Sequence, residues 1–185
     1  MATTDYGFTP VRNEGGRTTG IRKSYIIDDS QTIHIGDMVL LETTGFIIPA
    51  TAGSRILGCI IGITDSNGLD MDNSQAINTG STWTSPNTIV TDSDNTTVDQ
   101  QRAIVDIDPF TLYSNQPDGT INATSSSGKC GLKGSYVDLI TASQVDETNA
   151  GNAFNVTAQL FCWGLDPENT ARGLYSIAEH QIWGA

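Results

Sequence analysis

Ile56 to Ile63 reads ILGCIIGI, eight residues without a charge. A strand with one wet face alternates apolar and polar side chains, so a run that is apolar at every position is expected to be buried on both faces. This run is therefore predicted to be a central strand, with Gly58 and Gly62 marking a close backbone approach or a bulge.

Upstream, SYIID from Ser24 reads as a short strand, and DMVLLETTGFIIPA as two β-rich runs around the turn signal Thr44-Gly45, which predicts a hairpin. Downstream, RAIVDIDPFTLYS resumes the alternation, with Pro109 interrupting the ladder so that two strands meet at a kink. Further strands are expected at Tyr136 to Ile140, Asn155 to Leu165 and Gly173 to Ile182. In the second of these, Val156, Ala158, Leu160 and Cys162 share one face, and Thr157, Gln159, Phe161 and Trp163 share the other. One face belongs to the core, while the other is half covered and open to a partner subunit. Residues 64 to about 100 are polar and turn-rich, a long surface excursion with weak strands around Trp83 and Ile89-Val90.

No segment sustains a helical period, and Gly, Thr, Ser and Asn are abundant where Lys and Glu are scarce. The expected fold is all-β: a β-barrel or β-sandwich body over residues 24–185, preceded by an extended N-terminal arm over residues 1–23. The arm has scattered aromatics, Pro10, Gly15, Gly16 and Gly20, and it holds Arg12, Arg17, Arg22 and Lys23, four of the nine basic residues. Its docking residues are read as Tyr6, Phe8, Pro10, Val11, Arg12, Arg17 and Arg22, apolar anchors and guanidinium groups meeting a partner's surface or a neighbouring copy. On that reading, removing residues 2–20 leaves the body folded.

Twenty-one acidic against nine basic residues give a net charge of −12, which repels nucleic acid and anionic membranes alike. The opening MATTDYGFTP lacks a basic and apolar leader, and no continuous run reaches the ~18 apolar residues of a membrane span, so a soluble, unexported chain is expected. Cys59, Cys130 and Cys162 are odd in number and widely spaced, as buried free thiols are. The sequons at Asn95, Asn122 and Asn155 are what a chain rich in Asn, Ser and Thr yields by chance.

Signatures of catalysis are missing. His34 and His180 stand apart among apolar neighbours, with no metal-ligand spacing, and no nucleophile elbow or phosphate loop is present. The stretch TDSNGLDMDN, with Asp65, Asn67, Asp70 and Asp72, lacks the spacing and terminal Glu of a calcium loop and reads as a turn with Asn67-Gly68 at its tip. The expectation is a non-enzymatic protein with no cofactor and no metal.

Three passages in order carry a resemblance: YGFTPVR at Tyr6 to Arg12 followed by SYII; IGDMVLLETTGFIIPATAGSRILGCIIGITDSNG; and VDIDPFTLYSNQPDG through NVTAQLFCWGLDPENT to EHQIWGA. Together they resemble the capsid decoration, or cement, proteins of tailed bacteriophages. The resemblance implies a structural virion protein on the outer capsid surface, assembled in the host cytoplasm, that bridges subunits of the major capsid protein. It also implies a homo-oligomer, a trimer in preference to a dimer, with neither nucleic acid nor membrane as partner. Two other readings fit the same residues: a head or tail fibre component, and a carbohydrate-binding module using Trp83, Trp163 or Trp183 as stacking platforms.

Overall fold

The computed structural model describes residues 7–13, 20–64, 82–84, 88–91, 95, 100–118, 134–151, 159–169 and 171–182, with 13, 82–84, 88–90 and 147–151 described by backbone alone. The protein is all-β and antiparallel throughout its named strands. In chain order the strands are β1 (Thr9–Asn13), β2 (Arg22–Ile26), β3 (Thr32–His34), β4 (Met38–Leu41), β5 (Ile47–Pro49), β6 (Gly58–Thr64) and β7 (Thr82–Thr84). They continue as β8 (Thr88–Val90), β9 (Arg102–Asp106), β10 (Thr111–Asn115), β11 (Tyr136–Thr141), β12 (Gln144–Gly151), β13 (Leu160–Leu165) and β14 (Gly173–Ile177).

These form a six-stranded sheet in the order β1-β10-β14-β13-β11-β12, a five-stranded sheet in the order β2-β9-β6-β4-β5, and a small sheet β3-β8-β7. Of the two expected architectures, the barrel is not what forms: among the described residues the sheets are open, each with two edge strands.

The apolar run settles at the centre of the five-stranded sheet as β6, between β9 and β4. Its two faces enter two different cores. Cys59 joins Met38 of β4 in a cluster with Tyr113, Val137, Leu139, Leu160, Cys162 and Tyr175 of the six-stranded sheet. Ile60 and Ile63 instead join Val39, Ile47, Ala103 and Val105 in a second cluster that also takes in Ile33 of β3. Adjacent residues of β4 and β6 thus point into opposite cores, the period of two that a strand imposes.

Both glycines of the run have the roles their positions suggest. A Cβ on Gly58 would collide with the backbone carbonyl of Asp106, so β6 and β9 close only because that position is bare. Gly62 follows a register shift between Ile60 and Gly62, the expected bulge.

The kink at Pro109 is a change of sheet: β9 belongs to the five-stranded sheet and β10 to the six-stranded one. Aspartates shape the crossing. Asp106 Oδ1 accepts from the Asp108 N–H at 3.1 Å, and Asp108 Oδ1 accepts from the Phe110 N–H at 3.0 Å, two successive side-chain turns. The C-terminal segment then ties the sheets together, with an isolated bridge between His180 and Ile56 and the Gln181 carboxamide on the backbone N–H and C=O of Leu41.

Part of the long excursion is ordered onto β3: β8 pairs with it and β7 pairs with β8, at the two places expected. The Asp65 to Asp72 stretch lies outside the described residues. Gln159, expected to share the half-covered face of β13, turns inward just before that strand. Its Oε1 accepts from the Leu139 N–H at 3.0 Å, and its Nε2 donates to the carbonyls of Thr51 at 2.9 Å and Ser54 at 2.6 Å.

Two substitutions probe this core. Leu57 is fully buried in the second cluster, and Leu57→Asp places an unpaired carboxylate there; no soluble, cooperatively melting protein is expected on expression. Gln159→Ala leaves one buried N–H and two carbonyls without their partner and should cost about 2–4 kcal/mol in chemical denaturation, with an unchanged m-value.

Candidate docking surface

Tyr6 and Arg17, two of the residues read as docking groups, lie outside the described residues. The other five divide into one that faces inward and four that face outward. Phe8, expected to anchor on a partner, is only 2% exposed and belongs to the protein's own core. Its ring meets Tyr113 and Tyr175 edge-on, with centroids at 6.4 and 6.5 Å. The physical reason is proximity: a socket lined by two tyrosines is present in the same chain, and burying a phenylalanine there needs no partner.

The backbone around Phe8 is held just as firmly. Its N–H donates to Gly36 O at 2.7 Å, and the Gly7 N–H to Ser143 O at 3.2 Å. Gly7 and Gly36 both have positive φ, 105° and 98°, and approach so closely that a Cβ on Gly36 would lie 3.0 Å from Gly7 Cα. From the other side the buried Arg172 donates through Nη2 to Gly7 O and Ser114 O, both at 3.0 Å. Asp166 stands beside it. Burial works against its ionisation, but hydrogen bonds from Ser114, Glu168 and Asn169 and the Arg172 charge hold its pKa below the usual carboxylate value.

Residues 7–13, expected as part of a separate arm, are thus an edge of the body: β1 pairs with β10 from Thr9↔Ser114 to Asn13↔Thr111. Pro10 is tolerated because an edge strand has one side on which an N–H is dispensable. Pro10 and Arg12 are exposed, and Val11 is 41% exposed. Arg22 is exposed on β2, the edge of the five-stranded sheet. Four of the predicted docking residues therefore lie on two edge strands, one in each large sheet.

The outer face of the six-stranded sheet carries an aromatic row. Tyr136 of β11 packs against Phe161 of β13 at 5.1 Å, and Phe161 against Trp163 at 5.0 Å, with interplanar angles of 64° and 78°. Trp163 is 43% exposed, and its indole N–H donates to Ser176 Oγ at 2.9 Å. Leu160 and Cys162 point inward, as the alternation of the strand predicts. Trp163 is the one tryptophan whose surroundings are described; the side chain of Trp83 and all of Trp183 lie outside. The steep angles set each ring edge-on to the next rather than as a flat stacking platform.

His34, Cys59 and Asp106 are tied into the fold. His34 Nδ1 lies 3.2 Å from Asp37 Oδ2, which also accepts from the His34 N–H at 2.8 Å, closing the turn before β4. That hydrogen bond raises the His34 pKa. Cys59 is pushed well above the ordinary thiol value by burial, with Asp37 and Asp106 adding to it, which leaves a poor nucleophile. Burial also raises Asp106. Among the described residues no three His, Cys, Asp or Glu side chains gather where they could hold a metal ion, and no helix is long and apolar enough to cross a membrane. Asn95, the one sequon residue described, is fully buried, with its carboxamide bound to the backbone of Ile27 and Gln101.

No protein-family model, curated protein or solved structure matches the chain. The pairing of residues 9–13 with β10, and the bonds of Arg172 to Gly7 and Ser114, were not legible in the sequence. Arg172 in particular sits in a polar turn where nothing local marks it as buried.

His180 makes a pH prediction. It is buried, and its Nδ1 accepts from the Ile182 N–H at 3.1 Å, the neutral imidazole's role. Burial lowers its pKa to about 4, opposed by a hydrogen bond with the Ile107 backbone and by Asp108. The unfolded chain, with histidine near its ordinary 6.5, binds the proton first, so this contribution to stability is complete above about pH 6.5 and lost as pH falls toward 4. Thermal melts should show Tm falling across that window, and His180→Gln should flatten the fall.

Proposed function

We propose that the protein is a non-catalytic structural component of a tailed-phage virion, a decoration protein that docks on the outer capsid surface and bridges major capsid protein subunits. The observation that carries this reading is the placement of Pro10, Val11, Arg12 and Arg22 on exposed edge strands of both large sheets. Edge strands offer backbone hydrogen bonds to an incoming segment, and their side chains set which segment is accepted. In a chain of net charge −12, guanidinium groups at such edges concentrate positive charge where an acidic capsid loop can meet it. The order of motifs that resembles decoration proteins supports the same reading. Many weak contacts of this kind, repeated over a shell, add up to stable binding.

The exposed indole of Trp163 favours a second reading, a glycan-binding face on the six-stranded sheet. The edge-on geometry of its aromatic neighbours weighs against it.

The test is co-sedimentation of the purified protein with undecorated capsids, followed by electron microscopy of the pellet. Wild-type protein should add ordered density at capsid subunit junctions, with binding that weakens as salt rises. Val11→Asp with Arg12→Glu should fold normally and reduce occupancy by about tenfold or more. Unchanged occupancy would move the binding face elsewhere, and absence of wild-type binding accompanied by glycan-array signal lost in Trp163→Ala would favour the second reading.

A further inference from the structure

The contacts that hold residues 7–8 and β1 share one property: every residue named on the receiving side is remote in the sequence. They are Gly36, Cys59, Tyr113, Ser143, Arg172 and Tyr175, with the β10 ladder itself. The groove that takes this strand is complete without any residue next to it in the chain. It does not distinguish its own strand from the same strand of another copy.

We infer that β1 is an exchangeable element, and that residues 7–13 of one chain fill the groove of a second copy of this chain in the register they occupy here. Three observations favour a second copy as the occupant. The first is sequence identity: only another copy supplies Phe8 for the two tyrosines, Gly7 for the tight approach to Gly36, and a carbonyl at the reach of Arg172. The second is the connection. β1 and β2 lie in different sheets, joined by residues 14–21 with glycines at 15, 16 and 20. Eight residues span at most about 29 Å, which restricts exchange to an immediate neighbour. The third is charge: copies of a strongly acidic chain repel one another, but this segment and the residues that follow it carry Arg12, Arg17, Arg22 and Lys23. Exchange keeps every contact and changes only which chain makes it, so its cost is confined to the connection and to association.

The proposal does not depend on a capsid role. Thr9 lies opposite Ser114 across the β1–β10 pair, so a cysteine at each position reports which strand occupies the groove. Three proteins are made in the full chain: Thr9→Cys, Ser114→Cys, and the double variant. The two single variants are mixed at high concentration, oxidised and separated without reductant. A disulfide-linked heterodimer, mapped by mass spectrometry to positions 9 and 114 and increasing with concentration, is the expected result. Adding Phe8→Ala to the Thr9→Cys chain should lower its yield by about tenfold or more, because the aromatic socket is then empty. If the double variant closes an internal disulfide at all concentrations and the mixture yields no heterodimer, the strand stays with its own chain and the inference fails. If the double variant closes no bond either, the pairing on which it rests is itself overturned.

Discussion

Strands β4 and β6 are buried on both faces, and the rest of the molecule is arranged to make that possible. Met38 and Val39 are neighbours in the chain but belong to separate cores, and so do Cys59 and Ile60. A sheet with a wet face needs one covering layer; this one needs two. The six-stranded sheet covers one side, and β3 with its small sheet contributes Ile33 to the other. The sheet change at Pro109 follows from the same need, because the chain leaving β9 must cross to the layer that covers it. Gly58 sets the limit on how tightly the central strands close, since any side chain there would push β6 away from β9.

Short strands in several layers leave many backbone groups buried at sheet ends, where no ladder reaches them. The protein fills these places with side-chain amides. Asn115 accepts from the Val145 N–H and donates to Ser143 O; Gln159 joins Leu139 to the turn at Thr51 and Ser54; Gln181 pairs with both backbone groups of Leu41; Asn95 joins Ile27 to Gln101. A carboxamide has a donor and an acceptor in the arrangement of a peptide group, so each of these residues acts as a piece of strand supplied from the side. The Asn-rich composition, which in a sequence suggests only turns, is here also a structural material.

What the sequence disclosed follows from locality. The run at 56–63, the hairpin at Thr44-Gly45 and the interruption at Pro109 are written in adjacent residues, and each is found where expected. β12 was missed because QVDETNAG is an edge strand with almost no apolar face, and β3 because three residues are too few to show a period. β1 was missed for a different reason. Phe8, Pro10 and Val11 look like an arm when read alone, since the groups that hold Gly7 and Phe8 come from residues 36, 59, 113, 143, 172 and 175, which no local pattern brings together. The exposure of Pro10, Val11, Arg12 and Arg22 was legible because exposure is what a polar, unperiodic stretch implies.

The two faces of the N-terminal strand also change what a truncation means. Removing residues 2–20 looks, in the sequence, like removing a tail. In the structure it takes away Phe8 from between two tyrosines, uncovers the β10 edge and deprives Arg172 of the Gly7 carbonyl. Loss of a buried phenylalanine alone costs about 3–5 kcal/mol, against a total stability of about 5–15 kcal/mol for a domain. A truncated chain that fails to bind would therefore report damage to the core as readily as loss of a docking surface. Substitutions confined to Val11 and Arg12 leave Phe8, the Gly7 contacts and the β10 ladder in place, because both side chains are exposed. On the proposed reading docking and folding share this segment, the first through the exposed Val11 and Arg12 and the second through the buried Phe8.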